Sequence, residues 1–209
     1  TALTNTLTVE QWAYSVYGDG KPSLSSVQAK ASDTSGDDYY STTTNVIDFT
    51  DDPTGFPGEI EGSSPWPAAA ANGATGQDGI NNNFFSRITA NILITEASDY
   101  TFQTWNDDGV YLLVNNQLII NDPTLHGEAR FRGSINLEPG NYPLELYFFE
   151  NGGQASLELT FKKGLANAPG AFQHLAADAF DSGTLQFSDV DLIDSHTISV
   201  TAIGTVQGN

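Results

Sequence analysis

Hydrophobic and polar side chains alternate with a period of two over much of the chain, which predicts β-strands. Within residues 142–150, for example, Leu144, Leu146 and Phe148 are separated by single residues of a different character. The predicted strands cover residues 7–17, 85–94, 100–105, 110–114, 117–120, 130–137, 142–150 and 155–161. Each such strand has one apolar face, so a series of short strands favours a β-sandwich.

Turn signals separate these strands. Asn115-Asn116 lies between two predicted strands, and because Asn tolerates positive φ it predicts a two-residue hairpin. Residues 18–45 are rich in Ser, Asp, Gly and Thr and read as a loop, followed by a short apolar cluster in residues 46–49. Residues 51–79 are rich in Gly, Pro and Ala and are predicted to be irregular. A long irregular stretch in a compact domain is often functional.

The pattern changes after Gly164. Residues 165–183 are rich in Ala and Gly and have some helical potential, and residues 186–204 hold two alternating apolar pieces. The run from Phe187 to Val200 resembles the start of a bacterial immunoglobulin-like or cadherin-like adhesin repeat. It contains the acidic residues Asp189, Asp191 and Asp194, which form a candidate second calcium group.

The predicted fold is therefore all-β, a two-sheet antiparallel β-sandwich with a short C-terminal appendage. We assign residues 1–164 to the sandwich. Residues 165–209 are predicted to be a linker and a partial adhesin repeat, either packed against the sandwich or forming half of a split neighbouring domain.

Composition narrows the classes of partner. The chain has 209 residues and a formal charge of −19, from 26 acidic and 7 basic residues. Such a chain repels nucleic acid and anionic membrane surfaces. Acidic loops attract calcium, although acidity that serves solubility alone is the simpler alternative. Cys and Met are both absent, so bound metal is a candidate for holding long loops in place of disulfides.

The sequence also bears on location. It opens at Thr1 without a Met, so we read it as an excised piece of a longer protein, and it shows no signal peptide. Its apolar runs are too short to cross a bilayer, which predicts no membrane insertion. We expect an extracellular protein, either secreted or on the cell surface.

A pair of adjacent acids is the main candidate for a metal site. Asp107-Asp108 lies between two strongly predicted strands, whereas Asp37-Asp38 and Asp51-Asp52 lie in loose polar segments. Neighbouring side chains in an extended strand point to opposite faces. For Asp107 and Asp108 to converge on one cation, the peptide between them must be unusual, and a cis bond would serve.

A second loop, residues 150–155, also joins two strongly predicted strands. Gly152 and Gly153 let the backbone approach a ligand closely and offer carbonyl oxygens, and Asn151 and Gln154 offer side-chain oxygens. The residues leave open whether Asn151 or Gln154 is the side-chain ligand. Asp-Asp-Gly and Asn-Gly-Gly are also ordinary turn signals, and this alternative stays open.

Residues 83–161 carry a resemblance to a known family. The matching residues are Phe84-Phe85-Ser86-Arg87-Ile88, Tyr100-Thr101-Phe102, Asp107-Asp108-Gly109-Val110-Tyr111-Leu112, Asn115-Asn116-Gln117-Leu118-Ile119, Leu137-Glu138-Pro139-Gly140-Asn141-Tyr142 and Tyr147-Phe148-Phe149-Glu150-Asn151-Gly152-Gly153. In this order they resemble the lectin-like, jelly-roll-like β-sandwich first defined in anthrax protective antigen, which flocculins and bacterial surface adhesins also contain.

The resemblance implies a calcium-dependent carbohydrate-binding module, a lectin without enzyme activity. It implies that Asp107 and Asp108, with the loop of Asn151, Gly152, Gly153 and Gln154, hold Ca²⁺, which in turn holds vicinal sugar hydroxyls. The expected partners are glycans with a hexose or deoxyhexose, on host or neighbouring cells, together with neighbouring adhesin repeats. Such a module would act in cell adhesion and biofilm formation.

Two alternatives to the lectin stay open: a structural or protein-binding spacer braced by calcium, and an accessory domain of a glycoside hydrolase. The sugar-binding residues are predicted to be Asp107, Asp108 and Gln154, with Trp66 as an aromatic candidate from the irregular segment. Trp105 and Tyr111 are assigned to the core.

His126, His174 and His196 have no paired spacing typical of zinc sites, so each is interpreted as a surface or packing residue. The sequence contains no serine nucleophile motif and no marked pair of catalytic carboxylates, which favours a binding protein over an enzyme.

Overall fold

The structure is a computed structural model that describes residues 6–12, 22–35, 39–50, 64, 66–67 and 83–175. Eleven strands and the helix α1 lie wholly within these ranges. In chain order they are β1 (Leu7–Trp12), α1 (Leu24–Lys30), β2 (Tyr39–Thr44), β3 (Asp48–Thr50), β4 (Phe85–Ile94), β5 (Ser98–Asp107), β6 (Gly109–Val114), β7 (Gln117–Asp122), β8 (Ala129–Leu137), β9 (Gly140–Phe149), β10 (Ser156–Lys163) and β11 (Gln173–His174).

The strands form two antiparallel sheets. One has the order β2-β1-β4-β9-β6-β7, and the other has the order β11-β10-β5-β8, with β3 paired to β10. The main core contains the inward side chains of both sheets, including Leu146 and Phe148 of β9 and Leu157 and Leu159 of β10. The prediction of an all-β, two-sheet antiparallel sandwich is confirmed.

The period-two pattern located the central strands well. The strand predicted at residues 85–94 coincides with β4, and the predicted hairpin joins β6 to β7. Its turn residues Asn115 and Asn116 have φ of 52° and 59°, in the left-handed region that Asn tolerates. The first predicted strand is found as Leu7–Trp12, and residues 13–17 lie outside the described ranges.

The reading of residues 18–45 as a loop was wrong for two segments. α1 has only seven residues, too few for a helical period to emerge, and it starts at a capping box in which the side chains of Ser23 and Ser26 cap each other's backbone. β2 is a polar strand, YYSTTT, at the edge of the six-stranded sheet. Its alternation is weak because little of it is buried.

α1 covers the outer face of the six-stranded sheet. Its buried residue Val27 belongs to a second apolar cluster, distinct from the main core, with Trp12, Phe85, Tyr147 and other residues. The aromatic residues that alternate with the core positions of β4 and β9 are therefore buried as well. Both faces of this sheet exclude water at its centre, and this rigid part of the fold supports β6 and β9.

Residues 165–175 contain no helix, and β11 within them pairs with β10. This short strand lies beyond the predicted domain boundary at residue 164 and extends the five-stranded sheet. Residues 176–209, with Asp189, Asp191 and Asp194, lie outside the described ranges, so the adhesin-repeat assignment stays a prediction. Asp37-Asp38 and Asp51-Asp52 lie outside them too.

Candidate functional site

Strand register brings the two predicted loops to the same end of the sandwich. Asp107 is the last residue of β5 and is paired with Ser156, the first residue of β10. Gly109 begins β6 and is paired with Phe149, the last residue of β9. The Asp107-Asp108 corner and residues 150–155 therefore lie side by side, and we call this end of the molecule the acidic tip.

The peptide bond between Asp107 and Asp108 is cis, which is one of the unusual conformations that the sequence left open for a converging acid pair. One carboxylate oxygen from each of Asp107, Asp108 and Glu150 lies within 4.8 Å of the others. Asp108 and Glu150 are buried and Asp107 is partly exposed. The acidic tip thus brings three carboxylates close together, and Asp107 is the one that is partly exposed to solvent.

Backbone donors fix the carboxylate of Asp108. Its Oδ1 accepts a hydrogen bond from the backbone N–H of His126 at 2.8 Å, and its Oδ2 accepts one from the backbone N–H of Asn151 at 3.0 Å. Each carboxylate oxygen has two acceptor directions, so each retains one for a further ligand. Asp108 is therefore oriented before any cation binds.

Glu150 joins the two loops of the acidic tip. Its side chain is fully buried and accepts hydrogen bonds from the backbone N–H of Asp108 at 3.1 Å and of Gly152 at 2.6 Å. Glu150 was predicted to lie in the second loop but was not predicted to be a site residue. A Glu at the end of a β-strand carries no local signal that distinguishes such a role.

A network of polar side chains lies next to the acid pair and contacts it by hydrogen bonds. The buried Asn106 side chain donates hydrogen bonds to the backbone oxygen of Asp108 at 2.6 Å and to Asp122 Oδ2 at 3.1 Å. Asp122 Oδ2 also lies 2.7 Å from His126 Nε2, and Thr124 donates to Asp122 Oδ1. Asn106, Asp122 and His126 were not predicted as site residues.

The environment of His126 favours its charged form. Burial disfavours the charge, but the hydrogen bond to Asp122, the contact with the Gly127 carbonyl and the negative charges of Asp122 and Asp108 outweigh it, so that the pKa of His126 is raised. The interpretation of His126 as a plain surface or packing residue was incomplete, since both its ring and its backbone N–H contact this network.

The second loop presents several oxygens at the acidic tip. Asn151 is partly exposed, whereas Gly152, Gly153 and Gln154 are exposed. Gly152 and Gly153 have φ of 106° and 119°, a conformation that favours glycine. The structure brings Asn151 next to Asp108 through its backbone hydrogen bond. Gln154 lies further along the same loop.

The structure corrects the prediction for Trp66. Its side chain has 0% exposure and packs against Phe49, Phe84 and Phe148 in the main core, with a stacked contact of 4.7 Å to the Phe148 ring centroid. A ring without exposed surface cannot stack on a sugar. Its Nε1–H donates to the carbonyl of Ala155 at 3.2 Å, so Trp66 supports the second loop from inside.

Of the two aromatic residues that were assigned to the core, one is buried and the other is partly exposed. Tyr111 is buried, as expected, and its hydroxyl donates to the Pro22 carbonyl. Trp105 was expected in the core but is partly exposed on the outer face of the five-stranded sheet, with the Arg130 guanidinium 5.1 Å from its ring centroid. Trp105 alternates with the inward residues Thr104 and Asn106, which explains this position.

The donor set of the acidic tip fits a hard cation. Three converging carboxylates, one of them fully buried, concentrate negative charge where a divalent ion would be strongly favoured. The donors available there are carboxylate, amide and carbonyl oxygens, which calcium prefers. Asp107, Asp108, Asn151 and the Gly152 and Gly153 carbonyls would hold such an ion.

The chain can be assigned to a family of known domains. It belongs to the PA14 domain family, whose model matches residues 40–171. A PA14 sugar-binding domain from an RTX adhesin has a similar structure, with a TM-score of 0.58 and 20% identity, and the match covers 86% of this chain and 99% of that domain. The PA14 domain of the MpAFP antifreeze protein matches with a TM-score of 0.51 and 12% identity, over 85% and 89% of the two chains.

An anti-sigma factor domain-containing protein from Clostridium clariflavum is also similar, with a TM-score of 0.52 and 17% identity over 85% of this chain. The chain spans about half of that protein, 47%, and an equal share of another anti-sigma factor domain-containing protein. At these identities the likeness concerns the fold. No curated protein matches the chain. Within the described ranges, no helix has the length and apolarity needed to cross a membrane.

Proposed function

We propose that the chain is a calcium-dependent carbohydrate-binding module that acts in adhesion outside the cell. One observation carries the proposal: carboxylates of Asp107, Asp108 and Glu150 converge within 4.8 Å at an end of the sandwich where the second loop exposes further oxygens. The similar fold of a sugar-binding domain from an adhesin supports the same class of ligand.

In this proposal Asp107 and Asp108 bind Ca²⁺ directly. The Asn151 side chain and the carbonyls of Gly152 and Gly153 complete the protein ligands. Calcium takes 6–8 oxygen ligands, roughly one to three more than this set supplies, which leaves positions for a pair of vicinal hydroxyls. Glu150 holds the two loops together through its hydrogen bonds.

The ligand would be a hexose or deoxyhexose at the exposed end of a glycan. Its neighbouring hydroxyls bind the ion, and the exposed side chain of Gln154 can hydrogen-bond a third hydroxyl. We expect weak binding per site, because a terminal sugar buries little surface on this open tip. Adhesion would then rest on many modules that act together on a surface.

The oxygen donors that the acidic tip presents suit a bound cation, and the proposal is for binding without catalysis. The net charge of −19 favours a cation and a neutral glycan as ligands over nucleic acid. Neighbouring adhesin repeats and a role in biofilms belong to the same proposal.

The test is a glycan array with the 209-residue chain in Ca²⁺ and in chelator, together with calorimetric Ca²⁺ titration. Binding to a set of glycans in Ca²⁺ and its loss in chelator are expected. Asp107→Asn should lose both Ca²⁺ and glycan binding. Asp99→Asn is the matched control. Asp99 lies near the opposite end of β5, and its substitution removes one negative charge there, as Asp107→Asn does at the acidic tip.

Two outcomes would overturn the proposal. If Ca²⁺ raises the melting temperature but no glycan binds, the chain is a spacer braced by calcium. If glycans bind equally with and without Ca²⁺, the acidic tip is not the sugar site.

A further inference from the structure

A second group of metal-binding side chains lies on the outer face of the five-stranded sheet. Atoms of Asp48, Glu158 and His174 that could bind a metal lie within 4.8 Å of one another. These residues come from three strands, β3, β10 and β11, and none of them belongs to the acidic tip. His174 was predicted to be a surface or packing residue of a linker.

Strand register explains why the three residues meet. Asp48 pairs directly with Glu158, and His174 pairs with Thr160, two positions further along β10. Leu157, Leu159 and Phe49 face the core, so their neighbours Glu158 and Asp48 face outward. His174 is thus the diagonal neighbour of Glu158 on one face.

This arrangement is unfavourable without a cation. Asp48 and Glu158 are 6% and 7% exposed, and like charges directly opposite each other destabilise a strand pair. Within the described part of the chain, the Glu158 carboxylate makes no hydrogen bond, although it is aimed at the other two side chains. Burial raises the pKa of Glu158, and although the nearby His174 ring opposes that effect, the charge of Asp48 adds to it.

We propose that Asp48, Glu158 and His174 form a site for a divalent transition-metal ion of the zinc class. Two carboxylates and one imidazole are typical ligands of such ions, which would also neutralise the paired charges. Calcium is disfavoured because it prefers a larger set of oxygens. His174 is exposed, so its ring can rotate to complete the three-residue site, and water fills the open position.

The ion would act as a brace. β3 has three residues and β11 has two, so few backbone hydrogen bonds hold either strand at the edge of β10. One ion bound to all three strands would tie both short strands to the sheet. This function is independent of glycan binding and of the acidic tip.

The test uses the 209-residue chain after removal of metals with a chelator. Zn²⁺ titration by calorimetry and Co²⁺ titration by visible absorption should show one saturable site, and Zn²⁺ should raise the melting temperature. His174→Gln should abolish all three signals. His196→Gln changes another histidine of the chain and should retain them.

Glu158→Gln gives an independent readout. It removes one of two opposed carboxylates, so the metal-free variant should melt at a higher temperature than the metal-free parent, yet gain nothing from Zn²⁺. The variants His174→Gln and Glu158→Gln should both respond to Ca²⁺ as the parent does, which would show that they are folded. The proposal is wrong if His174→Gln binds Zn²⁺ as tightly as the parent, or if the parent shows no saturable Zn²⁺ site.

Discussion

The backbone N–H of Asn151 donates a hydrogen bond to Asp108 Oδ2 at 3.0 Å across 43 positions of the chain. In the opposite direction, the N–H of Asp108 donates to Glu150 Oε2 at 3.1 Å. The two loops of the acidic tip therefore orient each other. Substitution of buried residues that position the two loops should therefore weaken calcium binding, as substitution of the proposed calcium ligands should.

Glu150→Gln should destabilise the fold and weaken Ca²⁺ binding. An amide has one acceptor oxygen, so either the Asp108 or the Gly152 N–H loses its buried partner, at a cost of about 1–3 kcal/mol. Urea unfolding and calorimetric Ca²⁺ titration measure the two effects. Glu138→Gln, at an exposed turn position, is the control and should match the parent. Unchanged stability in Glu150→Gln would contradict the bridging role.

Gly109→Ala should destabilise the protein and disturb the acid pair that precedes it. A Cβ at Gly109 would overlap the Phe149 ring and lie 2.7 Å from the backbone oxygen of Asp122. Overpacking of this kind costs about 1–3 kcal/mol. At Gly127 a Cβ meets no atom within 4 Å, so Gly127→Ala is the matched control in thermal and urea unfolding. Equal stability of the two variants would show that β6 can shift to make room.

Trp66→Ala should lower the free energy of unfolding by about 3–5 kcal/mol, because a large ring is removed from the core. The milder Trp66→Phe keeps an aromatic ring but loses the hydrogen bond to Ala155. If Trp66 only supports the second loop from within the core, Trp66→Phe should bind the same set of glycans as the parent. A change in which sugars bind, measured on the glycan array, would instead indicate direct contact.

Stability should fall in alkali because of Tyr147. Burial, then the hydrogen bond to Glu145 and its charge, raise the pKa of Tyr147 in the folded state. In the unfolded chain the hydroxyl of Tyr147 has a pKa of about 10. The stability contributed by the neutral tyrosine is therefore complete below that pH and is lost as the pH rises above it. Urea unfolding at pH values on both sides of this point measures the loss, and Tyr147→Phe should reduce it. An equal alkaline loss in Tyr147→Phe would assign the effect to other groups.

Much of the sheet could be predicted from the sequence. The alternation along β4, β9 and β10 and the Asn115-Asn116 turn are local features, since each depends on residues within one strand or one hairpin. Asp107-Asp108 was recognisable for a similar reason, because two adjacent acids stand between two clear strands. α1 and β2 were missed because a seven-residue helix and a polar edge strand carry too little pattern.

The sequence by itself determined the all-β class, most central strands and the candidate acid pair, because these follow from short-range periodicity and turn chemistry. Only the tertiary structure decided that Glu150 bridges the loops, that Trp66 is buried and that Asp48, Glu158 and His174 meet. Those contacts join residues far apart in the chain, and they depend on which strands pair and in which register. Strand pairing places Asp48 opposite Glu158, a relationship that no local stretch of sequence contains.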